Sequence, residues 1–233
     1  QLGDLENALD HIHLAVMISP DNTPLRRDLA SMLQTSGKWE EAYQEWKTII
    51  EQRQPTDEEN NPGFTQTPAD DLRSMAACAL ETERSDQAIQ ITRSLLDEDP
   101  QDGLSHMLLG KGYLQSGISE DGFQALQKAV ELRPDHVEPW LVLAEHQIKS
   151  GETSQALRNL QAGLNTVENQ SVLYLEIGKL YRNDRQQTKA LEAFRSAVKA
   201  AEEYPDTNPW IRMKAHIMLG RSLRELGHLT EAR

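Results

Sequence analysis

The sequence predicts an all-α fold, a solenoid of antiparallel helix pairs, on three observations. Residues 103–134, GLSHMLLGKGYLQSGISEDGFQALQKAVELRP, hold two helical patterns in succession. The first carries Leu104, Met107, Leu108, Leu109, Tyr113 and Leu114 over a wide apolar arc, and the second carries Phe123, Leu126 and Val130 at three- and four-residue spacing. Gly117 fits a helix stop, Ser119 a helix start, and Pro134 closes the unit. The pattern then recurs at a spacing of 34: Leu109, Gly110, Gly117 and Leu126 correspond to Leu143, Ala144, Gly151 and Leu160, and again to Ile177, Gly178, Arg185 and Phe194. Finally, 5% aromatic and 38% hydrophobic residues are few for a globule of 233 residues but enough for helix pairs one layer thick. Helices of about four turns are marginal alone, so each pair must bury its stripe against its neighbours.

Taken in order, residues 1–22 read as a second helix whose first-helix partner is missing, with Asp4 as its cap, Leu5, Ala8, Leu9, Ile12, Ala15 and Val16 as its stripe, and Pro20 as its end. Residues 23–54 form a repeat opened by Thr23 as cap and Pro24 in the first turn, turned at Gly37 and resumed at Trp39. Residues 55–68, PTDEENNPGFTQTP, break the spacing as an inserted loop whose three prolines exclude a helix interior. It reads as a tolerated insertion, or as a docking loop with Phe64 as its contact. The repeat 69–102 begins with Asp70 and Asp71 in the first turn, where acids complement the helix dipole, and has Glu83 where other repeats have the turn glycine. Repeats 103–136 and 137–170 follow without a gap. The repeat 171–208 has a longer second helix, Gln187 to Tyr204, and 209–233 holds a first helix and the start of a second, LTEAR. Both ends fall within repeats, so the chain is expected to be a fragment of a longer array.

At these offsets the chain resembles the tetratricopeptide repeat family. Tyr113, Trp140, Tyr174 with Gly178 and Tyr181, and Ala190 with Phe194 and Ala197 carry the family's arrangement of small and aromatic residues. The resemblance implies a right-handed superhelical solenoid, a protein-binding role, and a concave groove lined mainly by first helices. Projected onto this chain, the groove rows are Met107, Leu141, Leu175 and Ile217, with Leu80, Leu114 and Ile148 beside them, and a charged row of Lys111, Glu145, Lys179 and Arg221. Lys111, Glu145 and Lys179 either pair with one another between repeats or act as clamps for an extended peptide or amphipathic helix.

Charge is uneven along the chain. The net charge is -13, which argues against nonspecific nucleic-acid binding. Residues 1–170 hold 13 Lys and Arg against 29 Asp and Glu, whereas residues 171–233 hold 11 against 8. In the last two repeats Lys179, Arg182, Lys214, Arg221 and Arg224 gather with Glu225 beside them, and unmatched cations on one surface fit a partner of acidic character. Family members that hold a chaperone's carboxylate terminus use a Lys and Asn set. Lys179 and Asn183 fall one turn too late to match it, so that function is not carried over.

Catalytic and cofactor chemistry finds no support. His11 and His13 are two apart and point to different sides of a helix, and no HExxH or cysteine pair completes a metal site. Gly110-Lys111-Gly112 lies within a helix rather than before one, so it is no phosphate cradle. Cys78 sits among Met75, Ala76, Ala77 and Ala79 and reads as an inert core thiol. Trp39 and Trp46 read as packing residues rather than a stacking pair. No run of apolar residues is long enough to insert in a membrane. No catalytic residue, cofactor or metal is therefore expected. The first functional reading is a noncatalytic scaffold that binds a protein segment in its groove. The alternative is a substrate-recognition arm of a larger enzyme, such as a glycosyltransferase, with catalysis outside the chain. A third is self-association, in which the terminal half-repeats of two copies stack on each other.

Overall fold

The computed structural model describes residues 2–52 and 68–227. Among the described residues there are twelve helices and no strand. Five precede the 103–134 stretch: α1 (Leu2–Ile18), α2 (Thr23–Thr35), α3 (Trp39–Gln52), α4 (Pro68–Glu81) and α5 (Ser85–Glu98). Next come α6 (Gly103–Gln115), α7 (Ser119–Leu132), α8 (Val137–Lys149) and α9 (Thr153–Gly163). The last three are α10 (Ser171–Asn183), α11 (Gln187–Glu203) and α12 (Pro209–Glu225). Residues 55–67 of the expected 55–68 loop, Phe64 among them, and the LTEAR segment lie outside the described residues, and Pro68 opens α4.

The chain divides into two compact units, Gln1–Ala125 and Leu126–Arg233. In the first unit each helix from α1 to α6 packs on the next, in the second each helix from α8 to α12 does, and alternate helices also touch: α4 with α6 in the first unit, α8 with α10 and α10 with α12 in the second. That pattern is the nearest-neighbour stacking of a solenoid. The first unit buries Leu29, Leu33, Trp46, Ile49, Ala79 and Leu80 in one cluster and Ile89, Leu109, Tyr113 and Ala125 in another. The second unit has two clusters, one around Trp140, Leu160 and Leu173, the other around Leu175, Phe194 and Met218.

Local chemistry accounts for the helix ends. The Asn22 side chain accepts from the Leu25 N–H at 3.1 Å, Asp102 from Leu104 at 3.1 Å and Asn208 from Trp210 at 2.9 Å, each satisfying a donor of the first turn. The α2 cap is thus Asn22, one residue before the expected Thr23, because the Asn amide oxygen reaches forward to accept from the Leu25 N–H. Helix α1 starts at Leu2, which places Asp4 inside the helix rather than at its cap.

The turns between paired helices share one construction. After α2 the Lys38 N–H reaches the Leu33 carbonyl at 2.9 Å, and Gly37 takes φ 74°. Gly117 and Gly151 repeat it at φ 78° and 81°. Glu83 at φ 59° and Arg185 at φ 58° hold the same left-handed position, with Arg84 bonded to Ala79 at 2.8 Å and Gln186 to Tyr181 at 2.8 Å. This six-to-one bond closes a helix most readily with glycine at the left-handed residue. A side chain there costs about 1–2 kcal/mol, against about 0.5–1 kcal/mol of extra chain entropy lost by glycine. Glu83→Gly and Arg185→Gly should therefore each stabilise the chain by roughly 0.5–1 kcal/mol in urea denaturation. A lower midpoint for both would show that these side chains contribute more than they strain.

Candidate functional site

The chemistry-bearing side chains are dispersed. The Cys78 side chain is buried, and burial pushes its thiol up to about 12, so it is protonated at neutral pH. His13 Nδ1 lies 3.1 Å from the Leu9 carbonyl and His106 Nε2 lies 3.1 Å from that of Pro100. His216 lies 3.5 Å from Glu202. Among the described residues no group of three or more His, Cys, Asp or Glu could hold a metal ion. Trp46 is fully buried, its indole N–H donating to Gln34 Oε1 at 3.2 Å.

In the first unit, the first helices α2, α4 and α6 line a cleft of about 510 Å³. Trp39, Ala77, Leu80 and Leu108 form apolar walls, and Gln34 and Lys111 supply polar edges. Met107 is not among the residues that line this cleft and is buried. Trp39 opens α3 just after the Gly37 turn, and there it is half-buried, packed against the core of the first unit and lining the cleft. Nothing in the periodicity marks Trp39 as different from Trp46; only the turn separates the two roles.

In the second unit, Leu175 is 1% exposed and packs with Phe194 and Met218, while Leu141 is half-buried and Ile217 exposed. Of the projected apolar row, Leu175 is thus core, and Leu141 and Ile217 reach the surface. Of the charged row, Glu145 and Lys179 pair within their own helices: Glu145 meets Lys149 at 2.7 Å, and Lys179 meets Glu176. Partners three or four residues away on the same helix are simply nearer than those one repeat away.

The cations of α10 and α12 converge. Arg182 Nη1 lies 4.0 Å from the Met218 sulfur, tying the end of α10 to the middle of α12. Lys214 sits half-buried beside Lys179, with Glu176 the nearby carboxylate. Burial, and then the neighbouring Lys179 charge, hold the Lys214 ammonium below its ordinary lysine range. Arg221 and Arg224 continue the face along α12, exposed and making no ion pair with a described residue. Two ammonium groups sharing one carboxylate leave an excess positive charge that is satisfied by solvent or by an anion.

A family model described as tetratricopeptide repeat matches residues 172–204, the segment holding α10 and α11. No curated protein matches the chain. Among solved structures, a thermophilic TPR protein of Thermus thermophilus is similar with a TM-score of 0.60 at 17% identity, covering 84% of this chain and 98% of its own. A tetratricopeptide repeat protein from Parabacteroides merdae has a TM-score of 0.59 at 18% identity, covering 99% of this chain and 83% of its own. A human IFIT1 dimer with PPP-AAAA has a TM-score of 0.66 at 20% identity, and the match covers 95% of this chain and 51% of that one. No helix among the described residues is long and apolar enough to cross a membrane. The chain carries a tetratricopeptide repeat at 172–204 and has the fold of tetratricopeptide-repeat proteins.

Proposed function

We propose that this chain is a noncatalytic scaffold whose second unit holds an acidic protein segment on the face formed by α10 and α12. The observation that carries the reading is the juxtaposition of Lys179 and Lys214 on neighbouring first helices, with Glu176 as their shared carboxylate. A carboxylate arriving from a partner removes the repulsion between the two ammonium groups. Arg182, Arg221 and Arg224 extend the positive face, and Leu141 and Ile217 offer apolar contact. The first unit contributes a second apolar cleft, with Lys111 at its edge and Met107 supporting it from within. Glu145, engaged with Lys149, limits the basic face on the α8 side.

A fluorescein-labelled Glu-rich peptide titrated with the whole chain tests this by anisotropy. Affinity is expected to fall about tenfold, or 1.4 kcal/mol, in Lys179→Gln with Lys214→Gln, and to weaken as salt rises because exposed charge contacts are screened. Equal binding of an uncharged peptide of the same length, or unchanged affinity in the double variant, would overturn the reading.

A further inference from the structure

Two helices of equal length present complementary faces to solvent. Helices α1 and α12 are both 17 residues long, about 25 Å. On α12, Trp210 (62% exposed), Met213 and Ile217 open an outward stripe that Arg221 and Arg224 continue at three- and four-residue steps. The stripe is apolar in the N-terminal half and cationic in the C-terminal half. On α1, the outward residues run in the opposite sense: Glu6 and Asp10 come first, then Leu14, Met17 (78% exposed) and Ile18 (74% exposed). Contiguous exposed apolar residues of this size mark interaction surfaces.

We infer that the occupant of the α12 face is α1 of a second copy of this chain, packed antiparallel to it. The inference rests on the reading of α12 as a docking face for an acidic segment and names that segment. Antiparallel packing puts Leu14, Met17 and Ile18 against Trp210, Met213 and Ile217. It also puts Glu6 and Asp10 against Arg221 and Arg224. The spans match: Asp10 lies seven or eight residues from the Met17 and Ile18 pair, and Arg221 lies eight from Met213. Parallel packing would oppose acid with apolar surface and leave the arginines facing Met17 and Ile18. Because the two faces lie on different helices, the contact is heterologous, and each copy that docks through α12 leaves its own α1 free for a third.

Sedimentation velocity of the whole chain over a range of concentrations reads this directly. The expected result is mass that grows with concentration, with an association constant reduced at least about tenfold in Arg221→Glu with Arg224→Glu and equally in Glu6→Lys with Asp10→Lys. All four side chains are on the surface, so circular dichroism of both variants should match that of the parent. Mixing the two variants is decisive. Each contact between unlike variants is then either the original charge pairing or its full reversal, and association should return toward the parental level. Trp210→Gln should weaken association at high salt as well, since the apolar half is not screened. A parent chain that stays monomeric, or variants that fail to recover on mixing, would overturn the inference. If the parent is monomeric while the Glu-rich peptide still binds in a Lys179- and Lys214-dependent way, the docking-face reading stands and only its occupant is wrong. If neither occurs, both fail.

Discussion

Asp71→Ala should lower the unfolding free energy of the chain by about 3–5 kcal/mol, the range expected when one partner of a buried ion pair is removed. The Asp71 side chain is fully buried in α4, and the guanidinium of Arg27, on α2, is only 10% exposed. Arg27 Nε donates to Oδ1 at 2.9 Å and Nη2 to Oδ2 at 2.5 Å, the two-pronged geometry that suits a planar guanidinium to a carboxylate. Alanine removes the carboxylate from a largely buried guanidinium that links α2 to α4. Replacing both partners, Arg27→Met with Asp71→Leu, should recover most of the loss, because an apolar pair of similar volume has no charge to desolvate. Urea denaturation followed by circular dichroism measures both. Faster amide hydrogen exchange in α2, α3 and α4 than in α10 and α11 would place the damage in the first unit. A change for Asp71→Ala within about 0.5 kcal/mol, as for an ordinary surface substitution, would mean that the pair is not buried in solution.

That pair also shows what the sequence could not convey. Asp70 and Asp71 look alike from their positions, two acids in the first turn of a helix. Asp70 does sit at the surface, beside Arg73. Asp71 turns inward to an arginine 44 residues earlier, and the 34-residue spacing offers no way to anticipate it because the 55–68 insertion shifts the register there. What the spacing does carry is each helix that repeats. Gly37, Gly117 and Gly151, with Glu83 and Arg185 at the same offset, locate five turns of one kind. Side-chain direction on a first helix is harder to read. In α6 apolar residues occupy nearly every side, so Met107 reads equally as groove floor or as core, and it is core. On α12 the mixture of Trp210, Met213 and Ile217 with arginines is informative only once the buried side, Ala215, Met218 and Leu223, is known. The basic face was visible as composition. The closeness of Lys179 to Lys214 was not, because it depends on how α10 and α12 meet.

The second large effect lies inside the repeat at 172–204. A Cβ built on Gly178 would stand 2.6 Å from Phe194 Cδ1 and 2.9 Å from Cζ, closer than side-chain carbons approach. Phe194 is fully buried in a cluster with Leu175, Ala190 and Ala197, and a close-packed interior gives a ring little room to shift. Gly178→Ala should therefore cost about 1–3 kcal/mol, the usual range for overpacking, despite the roughly 1 kcal/mol that alanine gains over glycine in a helix interior. Phe194→Ala removes the clash partner but opens a cavity between α10 and α11, at about 3–5 kcal/mol. The same unit suggests the compensation. At the equivalent pair one repeat earlier, Ala144 is matched by Leu160, 16 residues on, and both are buried. Gly178→Ala with Phe194→Leu copies that arrangement and should be more stable than the sum of its single changes by about 1 kcal/mol or more, as coupled neighbours are. Additive losses in that cycle would mean that the two positions do not touch. A positive coupling would show that one small and one large residue per repeat set the distance at which α10 and α11 pack. That distance in turn decides where α10 carries Lys179 relative to Lys214, so the same double variant should retain acidic-peptide binding that Gly178→Ala alone weakens.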